Sequence, residues 1–501
     1  MKKFAKFMSL ALALIMIVAC FAACGGGGDD TTLPPAGPSG NEDEDGRDSV
    51  KDTVPEDLKF NGKTVTFFVR DDREIFKNEM DVEKTTKDNL YDAVYYRNAT
   101  VEQRLGVTIE QIAQSGAFGD PVNTWNATLS NAVLTKTGDY DTAAIYASQS
   151  SSLAVEGIYY NVLDLPHINL EQPWWNQSIV DELTLFNTLY FLGGDIAFTE
   201  IAETVTLFFN KNLFAELYQT RNIDLYEVVD EGKWTIDLMS ELVTDAWIDE
   251  NSDGIANDGD TVGFYWPYAT GRGGGVMDAW IPAMGINLST MESGEPVLTF
   301  YNEHTVEAFE KVANLHLKNP GTCLTGGAAQ ASTGFTFGNQ LFIRGNLNSG
   351  SSYREVDFDY GVLPLPKFDE TQDDYATAFD QTASLVVVLS TCTETELVGA
   401  TLELMAAEAY KQVTPIYFEK CLKGLYADAP QDAAMYDRII NSIEFDFASC
   451  YSTKMLDSVG ALFRDLSVDI AQAWDENKVN YQTRLDELID KLDYISFMPL
   501  T

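Results

Sequence analysis

Apolar positions along the chain fall into two runs of strand and helix patterns, joined by one strongly apolar stretch. In the first run, Thr64 to Val69 is a β-branched and aromatic segment that reads as a strand. Leu90, Val94, Val101 and Leu105 then share one helix face. Gly106 supplies the stop. Val107-Thr108-Ile109 returns as a strand, a second helix is predicted from Trp125 to Leu134, and Tyr140 to Tyr146 reads as a third strand. A β-α-β-α-β order favours a parallel sheet, because each helix carries the chain back to start the next strand in the same direction.

The joining stretch is Leu189 to Phe214, read as two short apolar strands leading into a helix at Asn212. It is the expected crossing between two α/β lobes. Beyond it, Thr235 is placed to cap a helix carrying Leu238, Leu242 and Ala246. A further helix is expected from about Thr305 to Lys318, and Gly321 to Gly338, rich in Gly, Thr and Ser, reads as loop. Tyr360 to Leu365 reads as a strand leading back toward the first lobe, and Ser384 to Leu389 as a buried strand of that lobe. Thr393 and Glu396 have capping-box spacing for a helix to about Lys411. Tyr481, Leu485, Leu488 and Leu492 share one face of a last helix, expected to pack on the second lobe. No internal repeat is evident, and the chain is expected to cross between lobes more than once.

Composition narrows the classes. At 501 residues with 45% hydrophobic positions, the chain has length for two or three domains and material for a large core. Its 33 Lys and Arg against 77 Asp and Glu give a net charge of -44. That balance argues against nucleic acid and anionic lipid as partners, since both need clustered basic residues. A strongly acidic surface mostly confers solubility.

The N-terminus has the form of an export signal. Lys2, Lys3 and Lys6 precede an apolar run from Leu10 to Ala19 that is short for a membrane span. Phe21-Ala22-Ala23-Cys24, followed by four glycines, resembles a bacterial lipobox. Phe21 departs from the usual Leu. Ile17-Val18-Ala19-Cys20 competes, but the glycines favour Cys24 as the lipidated residue. The alternative is an ordinary secreted protein. Residues 1–23 are thus read as a lipoprotein signal peptide and 24–59 as a flexible acidic tether, too poor in apolar residues to order itself. Cys323, Cys392, Cys421 and Cys450 show no metal spacing, and their pairing cannot be read from spacing.

Several segments carry a family resemblance: "GDYD" at Gly138–Asp141, "PWWN" at Pro173–Asn176, "GGDI" at Gly193–Ile196, "LFFNK" at Leu207–Lys211, "GKWT" at Gly232–Thr235 and "DYGVLPLPKFD" at Asp359–Asp369. In their order they resemble the extracellular solute-binding proteins of ABC importers, sugar-type family 1. The resemblance implies a two-lobed periplasmic-binding-protein-like α/β fold of type II. Each lobe would be a mainly parallel sheet flanked by helices, with a multi-segment hinge and ligand in the cleft. The first lobe is assigned 60–190 plus about 380–445, and the second 191–379 plus about 446–501. The function implied is a monomeric, lipid-anchored receptor on the outer face of a bacterial cell membrane. It would capture a carbohydrate, an oligosaccharide by preference, and deliver it to an ABC permease. The alternatives are a surface glycoside hydrolase and an adhesive glycan-binding lipoprotein.

Three features are candidate sites. Asp249, Asn251, Asp253, Ile255 (through its carbonyl), Asn257 and Asp260 have the spacing of a calcium loop, with Gly254 at the turn. Asp260 stands where an EF-hand has Glu, and Ala256 where it has a bulky aliphatic; an acidic loop without metal is the plainer alternative. Next, Trp266, Tyr268 and Trp280 flank a glycine run containing Arg272. Sugar C–H faces stack on such rings and sugar hydroxyls need polar partners, although most tryptophans fill cores. Trp174 and Trp175 are read as packing residues. Lastly, ligands in open parallel sheets bind beyond the carboxyl ends of strands. Arg70, Asp71, Ser148 and Gln149 sit at such ends, and Asp195, Arg344 and Asn346 are expected to face the cleft. Catalysis finds little support: His167, His304 and His316 fit no metal spacing, and no G-x-S-x-G occurs.

Overall fold

The first strand is buried along its second half because its Phe67, Phe68 and Val69 side chains all enter the core. In the computed structural model this strand, β1 (Lys63–Arg70), is followed by α1 (Asn89–Leu105). Asp88 caps α1 by accepting from the Leu90 and Tyr91 N–H groups at 2.9 and 3.4 Å. The face carrying Leu90, Val94, Val101 and Leu105 is buried, and Gly106 ends the helix at φ 63°. β2 (Val107–Gln114) then runs parallel to β1, with Lys63 opposite Val107 and Arg70 opposite Gln114. After α2 (Asp120–Thr135), β3 (Thr142–Tyr146) pairs parallel with the other side of β1.

The structure describes residues 46–257, 259–266, 274–323, 335–378, 380, 382–418, 422, 430–451 and 460–497. The chain divides into two units, Met1–Pro38 and Ser39–Thr501, and only the second contains described residues. Cys24, Tyr268 and Arg272 lie outside the described residues, as does most of the expected tether. The tether ends earlier than expected, since residues 46–59 are held against the first lobe. There the Arg47 guanidinium donates to the Tyr410 carbonyl at 3.1 Å, Asp52 forms a two-pronged pair with Arg104 at 2.6 and 2.7 Å, and Val54 is buried.

The crossing differs in detail from its expectation. Leu189 to Leu192 makes no strand, only a bridge from Leu192 to Val386. Glycine is required just after it. Gly194 has φ 116°, and a Cβ there would lie 2.3 Å from the Trp174 carbonyl oxygen. A short helix (Thr199–Ala202) leads into β4 (Val205–Asn210) and α3 (Lys211–Tyr218), which the Asn210 side chain caps. α4 (Ile236–Ala246) is capped by Thr235 as its sequence implies.

The second-lobe sheet is completed by β5 (Val262–Tyr265), β8 (Thr322–Cys323), β9 (Gln340–Asn346) and β10 (Tyr360–Leu363). The hairpin of β6 (Ser289–Glu292) and β7 (Glu295–Leu298) stands apart, turning at Ser293 and Gly294, both at positive φ. α5 (Glu303–Ala313) lies between that hairpin and β8 in sequence. The five strands lie in the order β10-β4-β9-β5-β8. β5 pairs parallel with β8 and β9, and β4 antiparallel with β9 and β10, so this sheet is mixed. The chain then returns, and β11 (Ser384–Val388) closes the first-lobe sheet antiparallel to β3, in the order β11-β3-β1-β2.

α6 (Thr395–Glu408) is buried on nearly every side, but without the expected capping box. Its N-cap is Glu394, which makes no capping bond and instead pairs with Lys63 at 2.5 Å. The helix Pro430–Asn441, assigned by sequence to the first lobe, packs on β10 and is tied to the second lobe by a Lys211–Asp432 pair at 2.7 Å. α7 (Ile470–Ser496) buries Tyr481, Leu485, Leu488 and Leu492. It touches β7 and α5 of the second lobe and also residues 151–156 of the first, so it bridges both. Among the described residues no helix is long and apolar enough to cross a membrane. Cys392 and Cys450 are free and buried, Cys323 is buried, and Cys421 lies outside the described residues.

Candidate functional site

A cavity opens between the lobes, with about 760 Å³ of space including its mouth. Ala147 and Ser148, just past the carboxyl end of β3, form the first-lobe wall. Val205 at the start of β4 and Arg344 on β9 form part of the opposite wall, with Asp278, Ile281, Pro282 and Ile286. Ala378 and Asp380 come from the return crossing, and Glu444 to Asp446 with Ser449 and Cys450 from a late segment. That segment reaches both lobes. The Phe445 N–H donates to the Ser178 hydroxyl at 3.1 Å in the first lobe. In the second, Asp446 accepts from the Ser289 N–H at 3.0 Å.

The walls mix apolar surface with a few fixed polar groups, the usual composition of a small-molecule site. Arg344 has a side chain only 9% exposed and donates to Asp380 at 3.2 Å, while its buried Nε–H meets no acceptor among the described residues. Asp278 is held by both prongs of Arg464 at 2.8 and 2.6 Å. Burial raises the pKa of Asp446, while the Ser289 and Ser449 N–H groups among its donors oppose that rise. Burial likewise raises Glu444, and the charge of Asp374 adds to it.

Of the residues singled out from sequence, Ser148 and Arg344 line this cavity. Gln149 is half-buried beside it and donates to the Ser148 hydroxyl at 3.3 Å. Asp71 is exposed. Arg70 is buried, with its guanidinium over the Phe76 ring at 3.8 Å and donating to the Thr382 carbonyl at 2.6 Å. Desolvation lowers its pKa against several nearby acids. Asn346 donates to Glu203 at 2.8 Å.

Asp195 does not face the cavity. It stands 4.0 Å from Arg47, and burial pushes its pKa up to about 6 against opposing help from Thr414 and Arg47. Trp266 and Trp280 also depart from expectation. Both are fully buried and stack on each other at 5.4 Å, with His316 edge-on to them at 5.1 and 5.6 Å. They are core of the second lobe, because the end of β5 carries Trp266 inward onto the residues around His316. Burial alone holds the His316 imidazole down to a pKa of about 3. Trp174 and Trp175 are core residues, as expected.

The late-segment wall (Glu444 to Cys450), Asp278 and Asp380 were not singled out from sequence. Their local patterns are ordinary, and only the fold brings them together. The Asp446 N-cap, which accepts from Ser449, was the one legible signal there.

The acidic loop is gathered as its spacing implies. Carboxylate oxygens of Asp249, Asp253 and Asp260 all lie within 4.8 Å of one another. Gly254 takes φ 77°, and an Ile248–Thr261 bridge ties the loop ends. Asn251 donates to Asn257 at 3.2 Å, and Asn257 to the Ile255 carbonyl at 2.9 Å. Asp260 is buried and accepts from the Glu250 and Asn257 N–H groups at 3.0 and 3.2 Å. Hard oxygens on so short an arc suit calcium.

Neither a family model nor a curated protein matches the chain by sequence. Solved structures do match by shape. A cyclo/maltodextrin-binding protein in complex with maltotetraose superposes with a TM-score of 0.53 at 10% identity, over 87% of this chain and 98% of its own. The GacH receptor of Streptomyces glaucescens, described unliganded and with acarbose, gives 0.53 at 10% identity over 85% and 99%. The maltose/maltodextrin-binding domain MalE of Bdellovibrio bacteriovorus, bound to maltotriose, gives 0.50 at 11% over 86% and 98%. The chain has the two-lobed α/β fold of these maltodextrin-type binding proteins.

Proposed function

We propose that the chain is a lipid-anchored solute-binding protein on the outer face of a bacterial membrane. It captures an oligosaccharide between its lobes and hands it, chemically unchanged, to an ABC permease. The observation that carries this reading is the cavity shared by both lobes, with Arg344 on its wall holding a buried Nε–H that meets no acceptor among the described residues. An unmatched buried donor is costly, and a ligand oxygen would satisfy it. The shape likeness to proteins described with bound maltotetraose and maltotriose supports the class of cargo. Ligand touching both lobes would favour the closed arrangement by its differential affinity.

The test is a thermal-shift screen of residues 24–501 against mono- and oligosaccharides, followed by calorimetry. A rising melting temperature with ligand concentration, and ligand recovered intact, is expected. Arg344→Ala should weaken binding about tenfold or more, the scale of a hydrogen bond to a charged group. Silence across the sugars, or hydrolysis of one, would sink the reading.

The same proposal gives the loop of residues 249–260 one structural calcium ion. Calcium should then raise the melting temperature over that in chelator, and Asp249→Ala should abolish the difference. An equal shift in both proteins would remove calcium from the account.

A further inference from the structure

Glu203 sits at the foot of β4, where the chain enters the second lobe, and is 1% exposed. Its carboxylate is saturated with donors from three parts of the chain. Arg73, just past β1 in the first lobe, donates to Oε1 at 2.6 Å. Asn348 donates to the same oxygen at 2.6 Å, and Asn346 to Oε2 at 2.8 Å, both from the end of β9 in the second lobe. Thr382, on the return crossing, donates to Oε2 at 3.2 Å. The backbone of Glu203 is engaged as well, its carbonyl accepting from the Asp380 N–H at 2.6 Å. Asp380 in turn holds Arg344 at the cavity wall.

Among these donors Arg73 differs in two ways. It alone is charged, and its side chain is 43% exposed, whereas the carboxylate it meets is buried. Removing the guanidinium would leave a buried carboxylate with only neutral donors, all from the second lobe and the crossing. Arg70 remains nearby as a positive charge, but a buried carboxylate that loses its hydrogen-bonded counter-charge is strongly destabilised. It would be relieved by water entering where the first lobe now lies. The pair therefore links the lobe arrangement to a group that also fixes the position of Arg344.

We propose that Arg73 and Glu203 are positioning residues that latch the first lobe to the hinge and, through Asp380, set Arg344 at the cavity wall. This rests on the binding reading for its purpose, but its test needs no ligand. The latch and the choice of cargo can therefore fail separately.

The experiment measures the distance between spin labels on Thr137→Cys, exposed in the first lobe, and Thr244→Cys, exposed in the second, by double electron–electron resonance. It uses ligand-free residues 24–501, with the chain lacking the two added cysteines as background. Arg73→Ala should lengthen and broaden the distance distribution by ~2 Å or more, the scale of a lobe rearrangement. Arg73→Lys, which restores the charge, should return it toward the parent. Far-ultraviolet circular dichroism of the three proteins should agree, since Arg73 is half-exposed and its loss creates no cavity. A distribution in Arg73→Ala that superimposes on the parent's overturns the proposal. So does a shift that Arg73→Lys leaves unchanged, because the pairing would then not be what holds the lobes.

Discussion

Glu200 is a carboxylic acid held where its charge is unwelcome. It is buried, and accepts from the Gly194 N–H at 2.9 Å and from Asn176 at 3.3 Å. Burial pushes its pKa from an ordinary 4.5 up to about 8, and Glu403, against Trp175, rises to about 7 for the same reason. Between those limits the folded chain keeps a proton that the unfolded chain has released. The stability from each group is therefore complete below about pH 4.5 and is lost as pH rises through the folded value. His316 acts in the opposite sense, losing stability as pH falls below its ordinary 6.5 toward about 3. Glu200→Gln should flatten the decline in melting temperature between pH 5 and 8, and thermal denaturation across that range checks it; an unchanged slope would contradict this account. None of these shifts was legible in the sequence, because desolvation depends on what lies around a side chain. Trp266 and Trp280 make the same point. A ring beside glycines has one spelling whether it meets a sugar or, as here, another ring and an imidazole.

At the scale of elements, boundaries set by backbone chemistry were the readable ones. The stop at Gly106 and the cap at Thr235 follow from single residues whose geometry suits only those positions. The box at Thr393 and Glu396 has the right spacing and still fails, because Glu394 takes the cap position and turns to Lys63. The two helix starts should answer mutation differently. Asp88→Ala removes a bonded cap and should cost ~1 kcal/mol, while Thr393→Ala should be near neutral. Urea denaturation of the two variants measures the contrast, and equal losses would show that Thr393 caps after all. The first strand expected of the crossing does not form, for a related reason. Leu189 to Leu192 is apolar enough for a strand, but its neighbours offer one bridge rather than a ladder.

For the whole molecule, two lobes were legible from the order of strand and helix patterns, and shape comparison agrees; the repeated crossing is seen in the return of β11 to the first-lobe sheet. The cavity was legible only in part. The strand-end rule pointed to Ser148, whose position follows from sheet topology, and Arg344 meets the separate expectation that it faces the cleft. Glu444 to Cys450 and Asp380 arrive from remote parts of the chain, and no local pattern announces such a meeting. The discontinuity of the lobes has a temporal side. Thr142 in β3 pairs with Val388 in β11, so the first sheet lacks an edge partner until nearly the whole second lobe has been synthesised. The second-lobe sheet has all five strands before residue 384, whereas the first-lobe sheet must wait for β11. A nascent chain halted before residue 384 would carry β3 as an open edge, a template for pairing with other chains. For a protein whose sequence begins with the pattern of an export signal, that delay leaves the first sheet unfinished until about three-quarters of the chain has been made.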